Sequence, residues 1–570
     1  MKPVKNLIEA AKGKLKADLV LKNATVFDVF TGRFICGDIA VIDGYIAGVG
    51  SYRGHLEIDL TGKYVTPGFI DGHVHIESSM VSPLNFAKAI VPCGTTTVIA
   101  DPHEIANVAG VEGIKYILES TETLPLNVYI MLPSCVPASY LESSGASLDA
   151  AKLAEFINHP RVLGLGEVMS FPSVLEGEES ILAKIRLASN KIIDGHAPGI
   201  FGEDLMAYAA AGIKSDHECV TAQEAMDRLT AGMHIMIREG SAVKNLLDLM
   251  PVVNQYTARR CLFVTDDRHP GDLISKGHIN SMVKIAVDAG YDLATVLQLA
   301  TVNAAQYFGL RDIGAIAPGY KADLLVFDDL VNWAPSIVFK DGKLVAEHNK
   351  ALFSPTSSSD KVVRNTMRLG QVSIDQLKIP AVSNNARVIG LIPNQIITKE
   401  LSLPVRIIDN EFRPDFRDDI LKIAIIERHN YTGNVGVGLV HGFGLKSGAI
   451  ATTIAHDSHN LIVVGASDED IMLAIKEVNR IQGGVAIVNN GEVLKSLPLP
   501  IAGLMSDQEV HDVEAELATI KSIARSLGVK EEYDPVMTLA FLSLPVIPAL
   551  KLTDLGLVDV NKSKIVSVSV

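Results

Sequence analysis

Between residues 67 and 309 the chain repeats one pattern eight times: a short apolar run, then a stretch with helical spacing. The runs are VTPGFIDGHVH, TTTVIAD, NVYIMLPS, VLGLGEV, KIIDGH, IKSDHE, HIMIRE and CLFVTDD. Stretches such as AGVEGIKYILES, AQEAMDRLTAG and SAVKNLLDLM separate them. Parallel strands need crossovers of this kind, and eight β/α units in about 240 residues match a (β/α)8 barrel. A doubly wound open sheet is the competing architecture, but no GxGxxG fingerprint opens a helix. The pattern predicts an α/β protein built on a TIM-like barrel, residues 67–309.

The flanks read differently. Residues 17–66 alternate like short strands with tight turns, Asp43-Gly44 among them, and the texture returns at 318–348. The peptide KADL stands at Lys16–Leu19 and again at Lys321–Leu324. Residues 1–66 and 310–354 are therefore expected to form one composite β-sandwich interrupted by the barrel. An amphipathic surface helix should open it, with Val4, Leu7, Ile8, Ala11 and Leu15 on the apolar face. SPTSSSDKVV reads as a linker, and residues 365–570 as a C-terminal α/β domain that covers the active site. Its strands are expected in LKIAIIER, GNVGVGLVHGFG, LIVVGA and GVAIVNNG, its helices in DEDIMLAIKEVNRI and DVEAELATIKSIARSL.

Each barrel run stays apolar until its C-terminal end. There the chain carries, in order, His73 and His75, Asp101 with His103 and Glu104, Ser134, Glu167, His196, His217, Arg238 with Glu239, and Asp266 with Asp267. A barrel builds its active site from those ends. His73 and His75, one residue apart on a strand, project both imidazoles from one face. Alone, such a pair is a weak signal. Four histidines and two carboxylates together are too many to bury unpaired, because each lone buried carboxylate would cost on the order of several kcal/mol. A pair of dications resolves this, since imidazole and carboxylate suit Zn²⁺, Fe²⁺ or Mn²⁺.

Charge and cysteine content narrow the partners. Lys and Arg total 51 against 66 Asp and Glu, a net charge of −15 that repels phosphate backbones and anionic membranes. No nucleic acid or membrane partner is expected. Cys36, Cys93, Cys135, Cys219 and Cys261 make no CxxC pair, which argues for a reducing compartment. The first residues lack the apolar core of a signal peptide, and no uncharged apolar run would cross a bilayer. A cytoplasmic protein acting on a small molecule is expected, as a homo-oligomer.

In PGFIDGHVHIESSM, ADPHEIANV, LPSCVPA, GLGEVM, DGHAPG, IREGSA, TDDRHPGDL and, in the tail, HDSHNLIVVG, the chain resembles the amidohydrolase superfamily and, within it, the bacterial and archaeal adenine deaminase family. The resemblance spans nearly the whole chain. It implies a binuclear centre in which His73, His75 and Asp266 hold one ion, Glu167 bridges, and His196 and His217 hold the second. Two divalent ions are implied, Mn²⁺ first, with Fe²⁺ or Zn²⁺ as alternatives. Hydantoinase-like relatives bridge their metals with a carboxylated lysine; here the fourth run ends LGLGEV, without one. The mononuclear deaminases of the superfamily need no bridging carboxylate.

The implied reaction adds water at C6 of adenine and expels ammonia, with metal lowering the pKa of water from about 15.7 towards ~7. Asp266 is the expected base and shuttle, and Glu104 or Glu239, with raised pKa, the acid facing N1. His103 and Arg238 are expected at the substrate, unless Arg238 instead neutralises Glu239. In the tail, His456, Asp457 and His459 should form a lid or a substrate contact, the alternative being a solvated turn. The single-zinc deaminase fold is excluded. His75-Ile76-Glu77 is a formal H-x-E, but Pro92-Cys93 is followed by Thr96 where a second thiolate belongs. Two other functions stay open: another binuclear amidohydrolase acting on a cyclic amide, and a non-catalytic scaffold. Glu167 and the matching tail count against the first, the six standing ligand positions against the second.

Overall fold

The computed structural model describes residues 4–354, 359–393 and 395–570. The eight apolar runs form strands β1 (Phe69–His75), β2 (Thr95–Ala100), β3 (Asn127–Leu132), β4 (Val162–Val168), β5 (Ile192–Gly195), β6 (Ser215–Asp216), β7 (His234–Arg238) and β8 (Cys261–Val264). β1 to β5 pair in parallel in chain order, and so do β6 to β8. The ring closes where β8 continues through Asp266–Asp267, which pairs in parallel with Val74 and His75. Across the β5–β6 seam, Lys214 N–H donates to Ile193 O at 2.9 Å.

Alternation along the strands builds two cores. Ile70, Ile99, Met131, Met236 and Leu262 fill the barrel interior, stoppered by Phe308 and Ile313. Their neighbours Phe69, Val74, Val98, Ile130 and Leu132 pack outward beneath the helices. This is the period-2 division that a filled barrel requires. Fully burying each such side chain is worth about 1.5–3 kcal/mol.

One apolar run is split. VTPGFIDGHVH is not a single strand: Tyr64–Pro67 pairs antiparallel with Leu324–Phe327, and β1 begins only at Phe69. Proline has no N–H to continue a ladder, and Gly68 passes so close to Thr96 that an added Cβ would lie 2.0 Å from its Oγ1.

Tyr64–Pro67 belongs to a nine-stranded mixed sheet that joins the two flanking segments. Ala17–Asp28 lies beside it, and Leu324–Phe327 leads on to Ile337–Lys340 and Lys343–Glu347. Both KADL peptides run into this sheet. Leu19, Leu21, Val26, Leu324 and Val326 cover one face, and Ala17, Val20, Ala40 and Ile42 the other. The N-terminal helix, Val4–Ala11, docks on the second face through Leu7 and Ala10. Val4 and Ile8 are 59% and 54% exposed, so the apolar stripe is narrower than its spacing predicts. A helix of about two turns seats one i, i+3 pair, and the rest faces water.

In the C-terminal region, Asn385–Gly390 (β9), Lys399–Pro404 (β10), Ile420–Ile426 (β11), Val435–His441 (β12), Ala449–Thr452 (β13), Leu461–Gly465 (β14), Gly484–Asn489 (β15) and Glu492–Pro498 (β16) form one sheet, in the order β10-β9-β12-β11-β14-β13-β15-β16. Helix Asp468–Arg480 packs on it; Ser467 caps its N-terminus, and three acidic residues in its first turn match the helix dipole. The linker reading at 354–363 falls partly on 355–358, outside the described residues. The rest is anchored: Val363 is buried, its carbonyl accepts Ala502 N–H at 2.7 Å, and Arg364 pairs with Asp360 and Asp507. Among the described residues no helix is long and apolar enough to cross a membrane.

A fully buried arginine fastens two of the strand ends. Arg228 Nε donates to Asp216 Oδ2 at 3.0 Å, and its Nη atoms donate to Ile200 O and Ala197 O at 3.0 and 2.7 Å. Arg228→Met should destabilise the protein by about 3–5 kcal/mol, because it leaves the buried Asp216 carboxylate without its cation. Chemical denaturation of the two proteins measures this.

Candidate metal centre

The site is assembled on the C-terminal rim of the barrel. On β1, Asp71 accepts the N–H of His73 and that of Thr265, while His278 Nε2 lies 3.2 Å from its other oxygen. That buried clamp holds β1 against β8. Burial pushes the Asp71 carboxyl up to about 7, against the pull of its Thr265 bonds. His75 Nδ1 lies 2.9 Å from Asp101 O, which fixes the ring proton there and leaves Nε2 with a free lone pair. Nε2 stands 3.0 Å from Asp266 Oδ1 and 3.3 Å from Glu167 Oε1, and His73 Nε2 is 3.8 Å from both.

Glu167 is the centre of the cluster. While Oε1 faces His73 and His75, Oε2 lies 2.7 Å from His196 Nδ1 and 3.3 Å from His217 Nε2. Against burial, which would raise it, the imidazoles of His103, His196 and His217 beside it hold this carboxyl well below the usual range. Its place is set by Asp101, whose Oδ2 accepts Glu167 N–H at 3.1 Å, and by the lack of a side chain at Gly166. A Cβ there would meet Asp101 Oδ2 at 1.9 Å. Gly166→Ala should therefore displace Asp101 and cost about 1–3 kcal/mol of stability, along with metal affinity. Thermal unfolding and metal analysis read the two effects.

Asp266 sits in left-handed backbone (φ 57°), a strained setting for a non-glycine residue. Its Oδ2 accepts from Arg238 Nη1 at 2.6 Å, and the same nitrogen bonds Glu218 Oε1. Arg238 thus neutralises Asp266 and Glu218, not Glu239. The Glu239 side chain turns away from the cluster: its Oε2 accepts Leu246 N–H at 3.3 Å, and burial raises its pKa. Ser134 Oγ donates to Glu167 O at 2.5 Å, and Ser78 Oγ to Asp267 Oδ1 at 2.5 Å.

Glu104 departs from the expectation of a neutral acid. Burial would raise its pKa, but His456 and His459 outweigh this and hold it well below the carboxylate range. Nor is the HDSH stretch a solvated turn, since His456, Asp457, Ser458 and His459 are all buried. Arg428 and His429, just past the end of β11, brace it by bonding the carbonyls of His459 and Ser458. His103 links the two clusters, with Nδ1 3.2 Å from Glu167 Oε1 and Nε2 3.7 Å from Glu104 and 4.0 Å from Asp457. Burial pushes the Asp457 carboxyl up to about 6.

All six residues expected to hold metal therefore meet at one place. Glu218, beside His217, joins them unanticipated, with Oε1 3.7 Å from His217 Nε2. An acidic residue next to a strand-end histidine was the available clue. His73 Nε2, His103 Nδ1, Glu167 Oε1 and His217 Nδ1 are buried without a hydrogen-bond partner. Several triads, among them His73–His75–Asp266 and His73–Glu167–His217, bring donor atoms within 4.8 Å of one another. Orphaned imidazole and carboxylate atoms at this density fit divalent cations. Beside the cluster opens a cavity of about 2050 Å³, lined by Ser134, His196, Glu218 and Arg238 from the barrel and by Met537 and Phe541 from the C-terminal region.

Residues 64–371 match the model described as the amidohydrolase family, whose superfamily uses divalent metals, and residues 395–564 match the adenine deaminase C-terminal domain. The chain is 63% identical over 569 residues to adenine deaminase 2 of Carboxydothermus hydrogenoformans, covering 100% of both. It is 48% identical to the adenine deaminase of Desulfatibacillum aliphaticivorans, over 98% of this chain and 99% of that one. Among solved structures, a β-aspartyl dipeptidase of Fervidobacterium islandicum AW-1 is similar at 18% identity and TM-score 0.47, over 60% of this chain and 99% of that one. Matched in barrel and tail alike and aligned end to end with such relatives, the chain belongs to the adenine deaminase family of the amidohydrolase superfamily.

Proposed function

We propose that this chain deaminates adenine to hypoxanthine and ammonia at the cluster around Glu167, which holds two divalent cations. The observation that carries the reading is that the two oxygens of one buried carboxylate face separate groups of imidazoles, His73, His75 and His103 at Oε1 and His196 and His217 at Oε2. His73, His75 and Asp266 are the ligands on one side, His196 and His217 those on the other, and Glu167 lies between. Bound cations supply Lewis acidity that brings the pKa of water from about 15.7 towards ~7. The family resemblance puts Mn²⁺ first, and the mixed imidazole and carboxylate set accepts Fe²⁺ or Zn²⁺ as well.

Asp266 is the base. One of its oxygens faces the cluster, the other is held by Arg238, so the carboxylate is aimed and kept ionised. It takes a proton from the attacking water and returns it to the departing amine. Protonation of N1 falls to His103, whose two ring nitrogens face carboxylates on either side, rather than to Glu104 or Glu239. Five cysteines free of disulfides support a cytoplasmic location, and exposed Phe30, Phe34 and Ile35 on the N-terminal sheet support a homo-oligomer.

Ammonia release tests the substrate. Protein loaded with Mn²⁺ should turn over adenine and leave adenosine and AMP largely untouched, since no phosphate-cradling glycine-rich loop is present. Faster release from AMP or adenosine than from adenine would overturn the free-base assignment.

A further inference from the structure

Ligand-type side chains also gather outside the Glu167 cluster, where the C-terminal region meets the helix His103–Ala109 that follows β2. Glu104 turns one oxygen to His456 Nδ1 at 2.7 Å and the other to His459 Nε2. All three residues are buried, and their donor atoms lie within 4.8 Å of one another. Beside them is a void of about 10 Å³, bordered also by Glu77, Ser78 and His269. That is room for roughly one water or one ion. The Nε2 atoms of His269 and His456 are buried, and neither has a hydrogen-bond partner.

Hydrogen bonding alone accounts for part of this. Ala455 N–H donates to His459 Nδ1 at 3.2 Å, which places the His459 ring proton on Nε2, against Glu104. The His456 ring proton, on Nδ1, points at the same carboxylate. One carboxylate then serves both rings, and Nε2 of His456 and of His269 stay unpaired beside a second carboxyl, Glu77. Buried polar atoms left in that state carry a desolvation cost.

We propose that Glu104, His456 and His459 form a third divalent-cation site, separate from the paired centre, which ties the C-terminal region to the barrel. Two imidazoles and a carboxylate are a donor set that Mn²⁺ or Zn²⁺ takes. Binding moves the His459 ring proton from Nε2 to Nδ1, giving up the long contact with Ala455. The His456 ring proton moves from Nδ1 to Nε2, and His269 borders the void alongside. Both ring contacts with Glu104 and the one from Ala455 are given up, and the buried carboxylate gains a cation in their place. The bracing by Arg428 and His429 holds the two histidines in place for it.

The test is a difference in metal content. After saturation with Mn²⁺ and desalting, His459→Gln and, separately, Glu104→Gln should each retain one equivalent fewer than the wild type. Each should still bear whatever equivalents Glu167→Ala loses, so failure of the paired-centre reading would not mimic failure of this one. Crystals of the wild type grown with Mn²⁺ should show an anomalous peak between Glu104, His456 and His459. Folded variants with the wild-type metal count, or saturated wild-type crystals with no peak there, overturn the proposal. If neither variant folds, the anomalous map decides by itself.

Discussion

Glu167→Ala is expected to lose both metal and catalysis, with kcat/KM falling by at least ~10³-fold, about 4 kcal/mol of transition-state stabilisation. The reason is geometric. His73, His75, His196 and His217 crowd within 2.7–3.8 Å of one carboxylate, and nothing else in the cluster faces all four. Without it two dications at that spacing would repel each other with no carboxylate between them to offset the charge. The fold should survive, because β4 is fixed by the bond from its own backbone N–H to Asp101 and not by the lost side chain. Metal analysis, circular dichroism and ammonia release on one preparation separate these effects. Full activity from a variant with a single bound equivalent would sink the bridging role.

Asp266→Asn should bind metal more weakly but fail chiefly in turnover, with kcat down ~10²–10⁴-fold, because an amide cannot accept the proton that the carboxylate takes. The pH profile sharpens this. Burial would raise the Asp266 pKa, but Arg238 and His75 outweigh it and hold the carboxyl well below the usual range. A base with a depressed pKa is ionised at every pH above it, so wild-type activity should fall only on deep acidification. The residual activity of the Asn variant should lack that acidic limb. A limb of the same shape in both proteins would assign the base elsewhere.

The barrel and the polar side chains that gather at its rim were legible because both rest on short-range rules: apolar runs that recur, and polar residues where each run stops. His73 and His75 share a face by strand periodicity alone. What could not be read depended on distant partners. Glu104 resembles a proton donor until His456, 352 residues further on, is seen against it. Arg238 adjoins Glu239 in sequence, yet strand alternation turns them apart, and Arg238 reaches Asp266, 28 residues away. Glu218 directly follows His217, which by itself accounts for a ligand-type residue at that strand end, so adjacency alone does not mark the carboxylate as part of the cluster. The N-terminal helix was read from spacing, but only packing decides how much of an apolar stripe a sheet can cover.

The pairing of Tyr64–Pro67 with Leu324–Phe327 also sets an order of events at the ribosome. The first half of that sheet emerges early, yet its partner strands lie about 250 residues downstream, roughly 13–50 s of synthesis at ordinary elongation rates. Throughout that interval Val65 and its neighbours present an unpaired apolar edge, the kind of surface on which nascent chains associate. The barrel is thus threaded into a clasp that shuts only after its last helix has appeared, and the newborn chain has to be kept from its neighbours until then.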